Sequence, residues 1–266
     1  MIKKAKSVYM CAECGNEFPS WQGQCSYCGA WNSIVEQKVK PDADNDARRR
    51  TTSKATPSKL KSVGTGNYTR ITSGISELDR VLGGGIVLGS MILISGEPGI
   101  GKSTLIIQSA NSIALNNGTV LYVSGEESEE QVKLRADRVC ENLSDNLLIF
   151  PETNIESVLA ACEQIKPKFL VIDSIQTMYS DELDNTAGSI TQIRACSNLL
   201  MKYAKINNVP VFIVAHVNKS GDLAGPKTIE HMVDCVLNFV GERDRDLRIL
   251  RSVKNRFGTT EEIGAF

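Results

Sequence analysis

Apolar positions change their period along this chain, and the change divides it. From residue 67 onward, short and nearly continuous apolar runs recur: MILIS (91–95), TVLYVS (119–124), LLIF (147–150), FLVID (169–173) and VPVFIVAH (209–216). A strand solvated on one side alternates apolar and polar residues, so these unbroken runs predict strands buried on both faces. The stretches between them carry helical spacing, as in Ile190, Ile193, Cys196, Leu200 and Tyr203. Strand and helix in alternation predict an α/β fold with a mostly parallel sheet and helices packed against it. Two last runs, VDCVLNFV and DLRILRSV, have no helix between them and predict an antiparallel hairpin turning around Gly241 to Asp246. Residues 36–66 are polar and turn-rich with no apolar period, while residues 1–35 hold paired cysteines and both tryptophans. The expected organisation is therefore a small metal-bound domain (1–35), a flexible basic linker (36–66) and a main α/β domain (67–266).

Composition narrows this picture. With 266 residues, 41% of them hydrophobic and 23% charged, the chain can bury a sizeable core. A formal net charge of -1 excludes a globally cationic surface, so any nucleic-acid contact must come from local clusters. One such cluster is Arg48, Arg49, Arg50, Lys54, Lys59 and Lys61 in the linker, although solvated linkers have the same composition. No apolar run reaches bilayer-spanning length, and the start MIKKAKSVYMCAEC lacks the apolar core of a signal peptide. These features predict a cytoplasmic protein without a membrane partner. Of eight cysteines, four form two C-x-x-C pairs; Cys140, Cys162, Cys196 and Cys235 lie in apolar segments and read as buried thiols.

After the first apolar run comes Gly96-Glu97-Pro98-Gly99-Ile100-Gly101-Lys102-Ser103-Thr104, which matches G-x-x-x-x-G-K-[ST] and opens a helical stretch. Its glycines let backbone N–H groups turn inward around a phosphate, and the helix N-terminus adds the positive end of its dipole. Lys102 is expected on the terminal phosphates of ATP, with Ser103 as a Mg²⁺ ligand. Asp173 ends the run FLVID at the same sheet edge and is the expected second Mg²⁺ ligand. Hydrolysis also needs a base that polarises water, and TVLYVS runs directly into Gly125-Glu126-Glu127-Ser128. Spacing leaves Glu126 and Glu127 equivalent, and both, like Glu129 and Glu130, also suit the first turn of a helix. His216, ending VPVFIVAH, is placed either as a sensor of the γ-phosphate or as a structural histidine.

Near the N-terminus, Cys11-Ala-Glu-Cys14-Gly15 and Cys25-Ser-Tyr-Cys28-Gly29 form two matched knuckles with ten residues between the pairs. Four thiolates suit tetrahedral Zn²⁺ and fill its coordination sphere, which predicts a structural site. So short a segment buries little apolar area, so the metal is expected to supply its folding energy. Trp21 and Trp31 are expected to cover this small fold, with base stacking as the other role open to them.

The cysteine knuckles, the stretches TSGISELDRVLGGGIVLGSMILISGEPGIGKSTL, VLYVSGEES and AGPKTIEHMVDCVL, and Lys254-Asn255-Arg256-Phe257-Gly258 together resemble the bacterial RadA (Sms) DNA repair family. The resemblance covers essentially the whole chain. It implies a RecA-like P-loop NTPase core behind a zinc ribbon, with ATP, Mg²⁺ and Zn²⁺ as cofactors. It further implies a DNA-dependent, ring-forming (hexameric) ATPase related to DnaB-type helicases. The implied partners are single-stranded and branched DNA and a recombinase of the RecA type, in recombinational repair and the stress response. On the same warrant Glu126 is favoured as the catalytic base, His216 as a nucleotide sensor, and Lys254 and Arg256 as cations acting in a neighbouring subunit's site. RadA proteins continue beyond KNRFG into a Lon-protease-like domain, whereas this sequence stops at Phe266, so a truncated form, a fragment or a short paralogue is expected. Two alternatives of other classes are a RecA-fold signalling protein that phosphorylates itself and an ATP-binding interaction module with little turnover.

Overall fold

The computed structural model describes residues 6–11, 16–39, 59, 61, 69–216, 229–241 and 247–266. Cys14, the linker cations Arg48, Arg49, Arg50 and Lys54, and the hairpin turn at 242–246 lie outside the described residues. The chain divides into two compact units, Met1–Thr69 and Arg70–Phe266.

The first unit contains a three-stranded antiparallel sheet of β1 (Lys6–Cys11), β2 (Glu17–Phe18) and β3 (Ile34–Val39), in the order β2-β1-β3. Its core holds Cys11, Phe18, Cys25 and Ile34, with Tyr9 packed against them. Neither tryptophan covers that core: Trp21 is 58% exposed and Trp31 71%. This corrects the expectation of core cover, because among the described residues it is Phe18, Ile34 and the Cys11 and Cys25 side chains that pack together there.

In the second unit, a two-stranded ladder of β4 (Arg70–Ile71) and β5 (Ile86–Val87) brackets helix α1 (Ser76–Val81). Then follow β6 (Met91–Gly96), α2 (Lys102–Asn116), β7 (Val120–Ser124), α3 (Glu129–Val139), β8 (Leu147–Phe150), α4 (Ile155–Ile165), β9 (Phe169–Asp173), α5 (Ile190–Asn207) and β10 (Val211–His216). The chain closes with β11 (Cys235–Gly241), β12 (Arg248–Asn255) and β13 (Ile263–Ala265). Eight of these strands form one sheet in the order β13-β12-β11-β6-β10-β9-β7-β8. Pairing is parallel from β11 to β8 and antiparallel along β11-β12-β13, as the two apolar runs without a helix between them predict.

Strand alternation produces two cores. Ile92, Ile94, Tyr122, Val171, Phe212 and Val214 face the side covered by α2 and α3. Met91, Leu93, Leu121, Val123, Leu170, Ile172 and Ile213 face α4 and α5. Period-two side-chain placement with apolar residues at every position is what buries both faces. Cys162, Cys196 and Cys235 are buried as expected, and Cys140 is half-buried at the end of α3. Burial pushes the Cys162 thiol up to about 11 and the Cys196 thiol up to about 12, so neither is a thiolate near neutral pH. Among the described residues, no helix is long and apolar enough to cross a membrane.

Candidate functional site

Parallel register sets the ends of β6, β7, β9 and β10 side by side: His216 lies opposite Gly96, and Ser124 opposite Asp173. Ligand sites of open parallel sheets form at this edge, because every connecting turn opens there. Here the turn from β6 to α2 is the phosphate-loop sequence. Gly101 has φ 109°, a left-handed conformation that glycine adopts without strain. Helices α3, α4 and α5 are capped by the side chains of Ser128, Asn154 and Ser189, whereas α2 begins at Gly101 with no side-chain cap. The first N–H groups of α2 are thus left for an external acceptor.

Lys102 is buried, and its Nζ donates to the carbonyl oxygens of Gly96 (2.8 Å) and Glu97 (2.9 Å). Burial lowers its pKa to about 8, with Asp173 and Glu126 acting in the opposite direction. Asp173 is buried at the end of β9, and its Oδ2 accepts a 2.5 Å bond from the Tyr122 hydroxyl. Burial first, and then the Asp173 charge, push the Tyr122 pKa well above its ordinary value, so the phenol stays protonated and donating.

The two neighbouring glutamates diverge. The backbone N–H of Gly125 donates to the carbonyl of Asp173 (2.8 Å), and a Cβ on Gly125 would lie 1.9 Å from Thr177 Oγ1, so only glycine lets this turn close on the β9 end. From that turn Glu126 points back along the sheet edge: its Oε1 accepts from Ser174 Oγ and lies 3.5 Å from His216 Nε2. Glu127 is instead bound by the Arg135 guanidinium of α3. Burial opposes the charged guanidinium, but Glu127 holds the Arg135 pKa above its ordinary value. Glu129 and Glu130 sit in the first turn of α3, where the helix dipole favours them.

A cavity of about 350 Å³ is lined by Gly99, Gly101, Lys102, Ser103, Thr104, Ser124, Asp173 and His216, by both Glu126 and Glu127, and by Arg135 and Arg138. The uncapped helix start, the lysine, the hydroxyl and the buried carboxylate form a donor set that fits a nucleoside triphosphate with its divalent cation. Tyr122, Ser174 and Arg135 complete this edge without having been singled out from sequence. A tyrosine inside a run buried on both faces was the available signal, since its hydroxyl must find a partner.

Lys254 and Arg256 lie elsewhere. β12 runs antiparallel to β11, so the KNRFG segment falls at the Met91 end of β6, roughly 16 Å along the strand from Gly96 by the rise per residue. There Lys254 Nζ donates to the carbonyls of Glu230 (2.8 Å), His231 (3.2 Å) and Val233 (2.8 Å). Arg256 pairs with the buried Asp234 (3.3 Å), which also accepts from Met91 N (3.0 Å) and Lys205 Nζ (2.7 Å).

In the first unit, the sulfurs of Cys11, Cys25 and Cys28 lie within 4.8 Å of one another, and those of Cys11 and Cys28 are 3.7 Å apart. Two thiolates about 2.3 Å from a tetrahedral zinc ion stand roughly 3.8 Å from each other, which the Cys11–Cys28 pair matches. Cys14, the fourth expected ligand, falls outside the described residues.

Comparison with known proteins agrees with this geometry. Residues 54–222 match the family described as AAA domain, and residues 9–36 match one described as rubredoxin metal binding domain. The chain is 49% identical over 265 residues to DNA repair protein RadA of Streptococcus pyogenes and 47% identical over 268 residues to that of Bacillus subtilis. It is 47% identical over 266 residues to the protein of the same name from Pseudomonas aeruginosa. Each match covers 100% of this chain and 58% of the relative. With its phosphate loop and its thiolate cluster both inside matched segments, the chain belongs to the AAA-domain family and is RadA-like along its whole length.

Proposed function

We propose that this chain binds ATP with Mg²⁺ and hydrolyses it as the motor part of a DNA repair enzyme. The observation that carries the reading is the convergence of Lys102, Asp173 and Glu126, from three different turns, on one cavity at the uncapped start of α2. Lys102 exchanges its two carbonyl partners for phosphate oxygens, and the N–H groups of residues 99–104 hold the phosphate chain. Ser103 and Asp173 would hold Mg²⁺, which when bound neutralises charge developing on the transferred phosphoryl group. Glu126 accepts the proton of the attacking water. Its bond to Ser174 and its place beside His216 set its direction, and Glu127, engaged by Arg135, is left out of the chemistry.

Lys254 and Arg256, at the sheet end away from their own phosphate loop, act on a nucleotide held by a neighbouring copy in a hexameric ring. Single-stranded and branched DNA are the substrates, a RecA-type recombinase the partner and the cytoplasm the setting. Zinc on Cys11, Cys14, Cys25 and Cys28 is structural, and the 36–66 segment links the metal-bound domain (1–35) to the ATPase domain (67–266). Steady-state ATPase assays with and without single-stranded DNA, alongside mass spectrometry for self-phosphorylation, test this reading. Turnover stimulated by DNA and abolished in Lys102→Ala is expected; self-phosphorylation without DNA stimulation would assign the site to a signalling protein.

A further inference from the structure

The metal-bearing unit carries a feature that neither nucleotide nor metal chemistry uses. Trp21 and Trp31 are both more than half exposed, although indoles are among the most costly side chains to leave in water. They also stand together. A Cβ on Gly23 would lie 3.8 Å from Trp21 Cη2 and 4.0 Å from Trp31 Cζ3, so both six-membered rings border the same point, with only a glycine beneath them. The isolated bridge between Gln24 and Trp31 pairs the Trp31 backbone across the loop that carries Cys25 and Cys28.

Charge decides what this pair can receive. Residues 7–37 contain three glutamates and no lysine, arginine or histidine. A zinc ion on four thiolates is itself net anionic. The cations nearest in sequence, Lys6 and Lys38, stand at the far end of the β1–β3 ladder, where Lys6 lies opposite Val39 and Ser7 opposite Lys38. Cys11 and Ile34 form the other end, about 17 Å away by the strand rise. A nucleic-acid strand needs cations beside its stacking platform to neutralise phosphates, and residues 7–37 supply none.

We infer that the Trp21–Trp31 pair is a docking face for a cationic polypeptide segment, with an arginine or lysine of a partner protein seated against the indoles. The ring faces attract the cation, the net negative charge of residues 7–37 favours it, and the aliphatic stem of the guest covers indole surface. Trp and Arg are also the residue types that dominate the energetics of protein interfaces.

Trp21 and Trp31 are the only tryptophans in the sequence, so the intrinsic emission of the whole chain reports on this face alone. The test titrates the zinc-loaded chain with a blocked peptide of alternating arginine and glycine, with the same peptide carrying neutral citrulline in place of arginine, and with a short oligothymidylate. The arginine peptide should change the emission saturably and bind about tenfold or more tightly than the citrulline peptide, an advantage that salt erodes. Trp21→Phe should keep the zinc and weaken the arginine response several-fold, read on Trp31. Equal responses to the two peptides, or none, would overturn the proposal. Saturation by oligothymidylate ahead of the arginine peptide would also overturn it and give the face to nucleic acid.

Discussion

Glu126 and Glu127 follow β7 as neighbours and find different partners, Ser174 and His216 for the first and Arg135 for the second, because successive side chains of a tight turn point in different directions. Glu126→Gln should retain ATP binding and slow hydrolysis by about 10²–10⁴-fold, the usual cost of removing a general base. Glu127→Gln should instead loosen Arg135 and leave the larger part of turnover intact; a single-turnover assay of both variants decides between them. Tyr122 is a positioning residue on the same reading, since its hydroxyl fixes one oxygen of Asp173. Tyr122→Phe removes a bond to a charged acceptor worth about 1.5–3 kcal/mol. The Mg²⁺ concentration for half-maximal ATPase should then rise several-fold, while nucleotide affinity measured without Mg²⁺ stays level. Lys102 adds a pH signature. In the free chain its pKa is about 8, and phosphate contact raises it. Binding of ATP between about pH 8 and 10 should therefore take up a proton, seen by calorimetry in buffers of different ionisation heat, and Lys102→Ala should abolish the uptake. That Lys102, Ser103 and Asp173 would meet at one cavity was legible from residue type and spacing. What separates Glu126 from Glu127 was not legible from spacing, because it lies in contacts with Ser174 and His216, which stand 48 and 90 positions further along the chain.

The two cores at the element scale follow from the apolar runs, and the predicted strands over LLIF and FLVID coincide with β8 and β9. The short strand β13 was not anticipated. Three residues carry no readable period, and this strand exists because β12 offers an edge on which Ile263 and Ala265 pair with Arg251 and Ile249. The ribbon shows the same dependence on a partner. Among the described residues its core is four side chains with Tyr9 against them, too little to fold a segment of this length by burial alone. Elemental analysis should find one zinc ion per chain. Cys28→Ser should release it and abolish ribbon structure, read as loss of dispersion in the amide spectrum, while the helices of the Arg70–Phe266 unit keep their signal. Stoichiometric zinc in a chain lacking both Cys25 and Cys28 would refute the thiolate site.

For the whole molecule, the placement of KNRFG at the opposite end of the sheet from the phosphate loop matters most. The sheet holds Arg256 away from Lys102 of the same chain, and on the proposed function its contact with a nucleotide is made across an interface between copies. Chains carrying Lys102→Ala mixed with chains carrying Arg256→Ala should recover ATPase above either variant alone, because some mixed interfaces pair an intact loop with an intact arginine. Mixed assemblies shown to form without any recovery would assign Arg256 to its bond with Asp234 alone. The sequence by itself determined the α/β class, the phosphate loop, the Asp173 carboxylate and the metal-binding thiol pairs, because these depend on local period and on short fixed spacings. Only the tertiary structure decided that Glu126 meets Ser174 and His216 while Glu127 meets Arg135, that Tyr122 holds Asp173, that the tryptophans are left exposed, and that the KNRFG cations sit far from the phosphate loop of their own chain. Those outcomes depend on strand order and register, which bring residues distant in sequence together and which no local pattern encodes.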